Sequence, residues 1–415
     1  MERYIVEGLK RLNGEMEVHG AKNAALPILA ASLLCDSCEL HNCPELSDIG
    51  AARNILEHLG CTTKKEGDTL IITGGEGGCT IPDQLMREMR SSIVFLGAIL
   101  AKYRQASLTF PGGCELGPRP IDLHIGALKR LGVTFQEEGG SLRCTVKGKL
   151  HGASISLPFP SVGATENIML AASLAQGHTV IRNAAREPEI ADLAAFLNSA
   201  GAKISTAADG TIHIDGVKKL GSAVHTVIPD RIVGITYLCC GAITQGDLLV
   251  RKVNPEHFSA VLPIFEEMGC QLRCGVDAVH IRSSQRLRAV KSIATMPYPG
   301  FPTDALAPIM ALTAVAEGTS VFTENIFQNR YKQAWELERM GADIKTEGRV
   351  AIVRGVPALH SAQVYCTDLR GGASLVIAAL AAQGQTVIHN VKHIVRGYQD
   401  LDYALNRVGA SIARE

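Results

Sequence analysis

A helix-ending residue followed by glycine and then by a strand-like run recurs at Leu59-Gly60, Leu131-Gly132, Ala200-Gly201, Met268-Gly269, Met340-Gly341 and Val408-Gly409. The spacing is about 70 residues, longer than the common solenoid periods. Glycine suits the left-handed residue that ends a helix. Upstream of each glycine the order is the same. An almost uncharged apolar helix comes first, at Ala24 to Leu34, Ser92 to Ala101, Ala164 to Ala175, Ile235 to Ile243, Ala305 to Ala316 and Ala373 to Ala382. A short strand follows, at Cys38 to Asn42, Ala106 to Phe110, His178 to Asn183, Asp247 to Lys252, Thr319 to Thr323 and Gln385 to Asn390. An amphipathic helix then runs to the glycine. A helix apolar on all sides must be buried. Each repeat is therefore expected to hold one buried helix and one surface helix among strands, an α/β class.

The sixth repeat stops at Ser411 to Glu415, without the hairpin expected elsewhere, as at Gly210 to Ile214 followed by Ala223 to Val227. Tyr4 to Gly8 and Glu15 to Val18 offer that piece, so the two ends of the chain are expected to meet in one domain. This predicts two triples of repeats. Residues 20–229 form one domain; residues 1–19 with 230–415 form a second, discontinuous one. No Pro/Gly/Ser-rich linker separates them.

At 415 residues the chain exceeds one ordinary core, and 46% hydrophobic content is enough for two. Lys+Arg and Asp+Glu are both 41, so no global charge points to nucleic acid or a membrane surface. Any anion site must be local. The N-terminus has no signal-peptide pattern, and no apolar run approaches the roughly 20 residues of a membrane span. A cytoplasmic protein is expected, with most of its 12 cysteines reduced and packing as small hydrophobes. P-loop, dinucleotide, zinc and Ser-His-Asp patterns are all missing, and no cofactor or metal is expected. His58, His178, His257 and His360 lack ligand spacing and read as structural. Trp335, at helical spacing, reads as packing.

Two features carry candidate chemistry. The first is the loop from Pro111 to His124, which brings Cys114, Glu115, Arg119 and Asp122 together among glycines and prolines. A thiol beside arginine favours its thiolate. By itself the stretch fits equally a turn carrying a small apolar residue. The second is the polar start of every apolar helix: Lys22-Asn23, Arg90 to Ser92, Ser161 to Thr165, Asp230-Arg231, Thr303-Asp304 and Asp368 to Arg370. Helix N-termini attract anions, and two domains facing each other by these ends would form an electropositive cleft. Arg119, Arg186, Arg330 and Arg396 occupy matching strand-to-helix loops, and arginine makes bidentate contacts with phosphate and carboxylate. Arg186, beside Glu187 and Glu189, is expected to be paired structurally, and Asp230-Arg231 could pair internally.

Taken together, Gly20 to Pro27, Pro111 to His124, Ser161 to Asn167, Asn183 to Glu189, Phe301 to Asp304 and Asp368 to Arg370 resemble the UDP-N-acetylglucosamine 1-carboxyvinyltransferase family from end to end. The resemblance implies a two-domain inverted α/β barrel, the enolpyruvyl transferase fold, with the site in the cleft. It implies transfer of the enolpyruvyl group of phosphoenolpyruvate to the 3'-hydroxyl of UDP-N-acetylglucosamine. That step opens peptidoglycan synthesis and so serves cell shape and division. Cys114 would protonate the methylene or form a thio-linked adduct, and would be the target of fosfomycin. Asp304 would take the hydroxyl proton. Lys22, Arg119 and Arg396 would hold the phosphate of phosphoenolpyruvate, and Arg330 and Arg370 its carboxylate, with Asp368 near the reacting carbon. The UDP-sugar would lie along Asn23, Pro120, Ile121, Asp122, Leu123, His124, Ser161, Val162, Gly163 and Ile326, with Arg90 on the diphosphate side.

Four places depart from the family pattern. Gln328 stands where glutamate is usual, Val233 lies in an altered Asp230 to Thr236 stretch, Tyr331 to Ala334 replace Phe-Met-His-Val, and Ala305 follows Asp304 in place of a polar residue. They leave open a UDP-sugar-binding paralogue without turnover, and the shikimate-pathway transferase is a third reading. If Cys114 is a general acid, Cys114→Ser nearly abolishes turnover. Cys114→Asp keeps some activity, with its pH optimum moved down, because a carboxyl titrates near 3.9 and a thiol near 8.5. Limited alkylation with peptide mapping checks the same assignment: label arriving first on Cys35 or Cys240, with activity intact, contradicts it.

Overall fold

The computed structural model describes residues 2–109 and 121–415, with Arg90, Ser91 and Glu138 described by their backbone alone. The chain divides into two compact units, residues 20–228 and residues 1–19 with 229–415. Each unit is built from three buried helices and three four-stranded sheets.

The buried helices are α1 (Lys22–Ser32), α2 (Phe95–Tyr103) and α3 (Val162–Ala172) in the first unit, and α4 (Arg231–Ile243), α5 (Thr303–Thr313) and α6 (Leu369–Ala381) in the second. Their sequences dictate their place: beyond the first turn they carry almost no charge, and nearly every residue is buried. In the second unit, α4, α5 and α6 pack against one another. A 3₁₀ turn at Arg90–Val94 leads into α2, where one continuous helix from Ser92 is the sequence expectation.

Each sheet follows one plan. A short edge strand lies parallel to the strand after the buried helix, and an antiparallel pair completes the four, as in Ser154–Ser156, His178–Arg182, Ile212–Asp215 and Lys203–Thr206. Parallel neighbours need a crossover, and in four of the six sheets the buried helix supplies it. The six repeat glycines, Gly60, Gly132, Gly201, Gly269, Gly341 and Gly409, all have φ between 91° and 106°, the conformation that ends a helix without a Cβ clash.

Two expectations are corrected. Ala223–Thr226 is not the return strand of a hairpin; it runs parallel to Ser37–His41 and closes the first repeat's sheet. Its counterpart in the second unit is Asn13–Glu17, parallel to Asp247–Arg251. Trp335 is not packing: it is 71% exposed. The helix Lys332–Arg339 buries Gln333, Ala334 and Leu337, and the 3.6-residue period turns position 335 away from that face. Of the eleven described cysteines, nine are buried and Cys274 is exposed.

Arg3–Glu7 is an inner strand between Gln385–His389 and Ser411–Arg414, and Arg3 meets Glu415 through backbone and side chain. The chain's beginning thus completes the sheet of its last repeat. Tyr4 is wholly buried there and donates to Asp402 at 3.2 Å. Tyr4→Ala is expected to destabilise this unit by about 3–5 kcal/mol, as for other large buried rings. The check is a lower urea midpoint at unchanged slope.

Candidate functional site

The first turns of the buried helices hold the polar residues that the apolar interiors exclude. In the second unit, Asp230 caps α4, accepting from the N–H groups of Ile232 at 2.9 Å and Val233 at 3.1 Å. Asp368 caps α6 in the same way, through Arg370 at 3.1 Å and Gly371 at 3.0 Å. Each satisfies donors that a helix start leaves unpaired. Asp304 lies in the first turn of α5 and meets two arginines. Arg330 Nη2 reaches one carboxylate oxygen at 2.7 Å, and Arg370 Nε reaches the other at 3.1 Å. Both guanidiniums are buried, and each lies over a ring: Arg330 on Phe327 at 5.8 Å, Arg370 on Tyr398 at 5.4 Å. Among the described residues Arg330 Nε and Arg370 Nη1 are buried donors without a hydrogen-bond partner. Buried donors are nearly always paired, so two together mark a place built for an acceptor.

The loop carrying Ile326 and Arg330 is organised by Glu324, which the sequence reading missed. Its buried carboxylate accepts from Thr295 at 3.0 Å, Thr303 at 2.8 Å, and the N–H groups of Ile326 at 2.7 Å and Phe327 at 2.9 Å. Thr303 begins α5, so one carboxylate fixes both the loop and the helix start. No local pattern marks Glu324 in the sequence.

In the first unit, Lys22 is buried in the first turn of α1, where the helix dipole disfavours a cation. Asp48, from the helix Ser47–His58, compensates at 3.1 Å. Ser161 caps α3 through Ala164. Asp122–Arg130 is a helix, so Asp122, Leu123 and His124 lie in its first turn rather than in the expected loop. Asn167 Oδ1 accepts from Gly97 N–H at 2.6 Å while its Nδ2 donates to the Ile93 carbonyl at 3.0 Å. Those backbone partners fix the amide orientation, so Nδ2 is the atom facing His124 Nδ1 at 2.9 Å. His124 Nδ1 therefore accepts, and its proton sits on Nε2. A Cβ on Gly97 would lie 2.3 Å from the Asn167 carbonyl oxygen, so glycine permits this approach of α2 to α3.

Other expected residues fall as follows. Asn23, Ile121, Leu123, Val162, Gly163, Ile326 and Arg396 are partly exposed, and Asp122 is exposed. Cys114, Arg119, Pro120 and the side chain of Arg90 lie outside the described residues. Arg186 is exposed, and among the described residues it has no ion pair, contrary to expectation; its side chain lies over Gly210, where a Cβ would come within 3.0 Å of it. Arg231 lies over the Tyr298 ring at 5.5 Å, and the Asp230 carboxylate is turned to the helix N–H groups. At the departures from the family pattern, Val233 and Ala305 are fully buried packing, and Gln328 is exposed while Asp304 balances Arg330. Among the described residues no group of three or more His, Cys, Asp or Glu is arranged to hold a metal.

A family model described as EPSP synthase (3-phosphoshikimate 1-carboxyvinyltransferase) matches residues 6–405. The chain is 52% identical to UDP-N-acetylglucosamine 1-carboxyvinyltransferase 2 of Caldanaerobacter subterraneus subsp. tengcongensis, over the whole of both. It is 45% identical to UDP-N-acetylglucosamine 1-carboxyvinyltransferase of Aeromonas salmonicida, over all of this chain and 99% of that one. Among solved structures, the enolpyruvyl transferase NikO from Streptomyces tendae matches with a TM-score of 0.90 at 24% identity, over 100% of this chain and 98% of that one. EPSP synthase from Acinetobacter baumannii matches with a TM-score of 0.77 at 20% identity, over the whole of both. At these identities the two structures show the fold.

Two buried groups titrate in opposite senses. Burial holds His124 down to about 4, so its contribution to stability is present at neutral pH and lost as pH falls from about 6.5 toward 4. Burial, with help from Glu189 and Glu187, pushes Glu166 up to about 8. Its neutral form favours the fold fully below about 4.5, and that contribution is lost as pH rises toward 8. Glu166→Gln is therefore expected to gain stability over the parent as pH rises from 5 to 8, by at most about 1.4 kcal/mol per pH unit. Denaturation midpoints at the two pH values check this; a constant offset between the proteins contradicts it.

Proposed function

The chain belongs to the UDP-N-acetylglucosamine 1-carboxyvinyltransferase family of enolpyruvyl transferases, and from that premise we propose that it transfers the enolpyruvyl group of phosphoenolpyruvate to the 3'-hydroxyl of UDP-N-acetylglucosamine. We place the reaction in the cytoplasm, at the opening of peptidoglycan precursor synthesis. The observation that carries the reading is the pair of buried arginines on Asp304, each with an unpartnered donor. A small carboxylate-bearing substrate satisfies both donors, and planar guanidinium is the group best matched to carboxylate.

In the proposed mechanism the sugar hydroxyl oxygen bonds to the substituted carbon of phosphoenolpyruvate as the methylene gains a proton. Loss of a proton from the resulting methyl group, with departure of phosphate, restores the double bond. Cys114 supplies the methylene proton and Asp304 takes that of the hydroxyl. Lys22, Arg119 and Arg396 bind the phosphate; Arg330 and Arg370 bind the carboxylate. Asp368 spends one carboxylate oxygen on its helix cap, and we assign its other oxygen to the reacting carbon. His124, neutral with its proton on Nε2, offers a donor to the UDP-sugar without adding charge. Asn23, Ile121, Leu123, Ser161, Val162, Gly163 and Ile326 line the sugar side.

Both Asp304 oxygens are engaged by arginine, so Asp304 serves as a base only as the guanidiniums turn to the substrate carboxylate. Positioned proton transfer is worth about 10²–10⁴-fold, and Asp304→Asn is expected to lose at least that much in kcat. A phosphate-release assay tests the function. Release requires both substrates together; binding of the UDP-sugar without release indicates the paralogue without turnover.

A further inference from the structure

Arg370 is wholly buried, and a buried charge must be compensated on every side or its position is lost. Asp304 engages only its Nε. The opposite support is Tyr398, itself wholly buried, whose ring lies under the guanidinium at 5.4 Å. The Tyr398 hydroxyl is 2.9 Å from Thr236 Oγ1, on α4. A threonine hydroxyl has one proton, and that of Thr236 goes to the Ile232 carbonyl at 2.8 Å. In the 2.9 Å contact Tyr398 must therefore donate and Thr236 accept. Burial pushes the Tyr398 hydroxyl above its ordinary value against the opposing pull of Arg370 beside it, so it stays protonated and able to donate. With its proton committed to Thr236, the phenol oxygen has only lone pairs left to present toward Arg370.

We propose that Thr236 and Tyr398 are positioning residues for Arg370: Thr236 fixes the direction of the Tyr398 O–H, and Tyr398 holds the guanidinium where its Nε meets Asp304 and its Nη1 is offered to the substrate carboxylate. The chain of contacts runs Ile232 carbonyl, Thr236, Tyr398, Arg370, Asp304, and it links α4, α5 and α6 through polar groups. Neither Thr236 nor Tyr398 touches substrate in this scheme. The inference rests on the substrate reading above, in that phosphoenolpyruvate is the carboxylate Arg370 meets.

The test uses Thr236→Val, Thr236→Ser and Tyr398→Phe in the full chain. Valine keeps the shape and removes the acceptor, serine keeps the acceptor, and phenylalanine keeps the ring and removes the donor. KM for phosphoenolpyruvate is expected to rise about tenfold in Thr236→Val and Tyr398→Phe, the size of a lost hydrogen bond acting on a charged group. KM for the UDP-sugar stays within about twofold, and Thr236→Ser stays near the parent. Equal changes in both KM values, or valine and serine behaving alike, overturn the proposal. Solvent exchange of the Arg370 Nε–H, followed by NMR without substrate, gives a second reading that needs no turnover. Exchange faster in Thr236→Val and Tyr398→Phe, with α5 backbone amides unchanged and serine parental, supports the positioning role. An unchanged rate rejects it. A parent protein that releases no phosphate sinks the substrate reading while leaving this second measurement decisive for the positioning pair.

Discussion

Helices that are apolar on every side set the terms for this molecule. Such a helix loses its stability in water, so each must be wrapped, and a single flanking sheet cannot do it. Three repeats solve the problem by sharing: in the second unit α4, α5 and α6 bury one another, with a four-stranded sheet outside each. The requirement for a closed set explains why Arg3–Glu7 and Asn13–Glu17 pair with the last and fourth repeats, and why Ala223–Thr226 returns to the first. An open triple would leave a sheet without an inner or edge strand and a helix partly uncovered.

The same constraint decides where polar chemistry can reside. Interiors of α1 to α6 tolerate almost no charge, so charge collects in the first turns, where free N–H groups and the helix dipole accept carboxylates readily. Asp230 and Asp368 are stable there as caps. Cations are disfavoured there, and two buried ones, Lys22 and Arg370, each meet a carboxylate from another element, Asp48 and Asp304 respectively. Removing one partner of a buried pair typically costs about 3–5 kcal/mol. The geometry of the cluster is therefore enforced by stability and does not depend on bound substrate.

Much of this was legible in the sequence because it is periodic or local. The helix-ending glycines, the uncharged runs and the polar first turns are patterns within a few residues of one another, and the repeat multiplied each sixfold. The fold and the polar ends of α4, α5 and α6 followed from them. What stayed hidden depends on contacts between distant residues. Asp48 meets Lys22 across 26 positions, Asp304 meets Arg370 across 66, and Thr236 meets Tyr398 across 162. Glu324 and Asn167 reveal their roles only through the backbone groups that surround them. Trp335 was misread because helical spacing says that a residue lies on a helix, while its face depends on which neighbours the sheet covers. The return strand was misread for a related reason: sequence adjacency favours a hairpin, and closure of the triple outweighs it.

In the proposed reaction the arginine pair on Asp304 is a buried ion cluster that serves stability and binding together. A neutral ligand approaching Arg330 and Arg370 would have to pull them from Asp304 and leave their charge uncompensated in a dry setting, at a cost of several kcal/mol. An incoming carboxylate exchanges one anion for another of the same shape and charge, and it adds partners for Arg330 Nε and Arg370 Nη1, which have none among the described residues. The exchange is nearly balanced in charge at the guanidiniums and favourable in hydrogen bonds, so it discriminates strongly by charge. Its by-product is a carboxylate released from two guanidiniums. A group so released is a stronger proton acceptor than the same group clamped, because the two positive charges that stabilised its ionised form have turned elsewhere. In the proposed reaction anion recognition and base activation become one event, and the buried pair that stabilises the resting fold would also withhold the base until a carboxylate arrives.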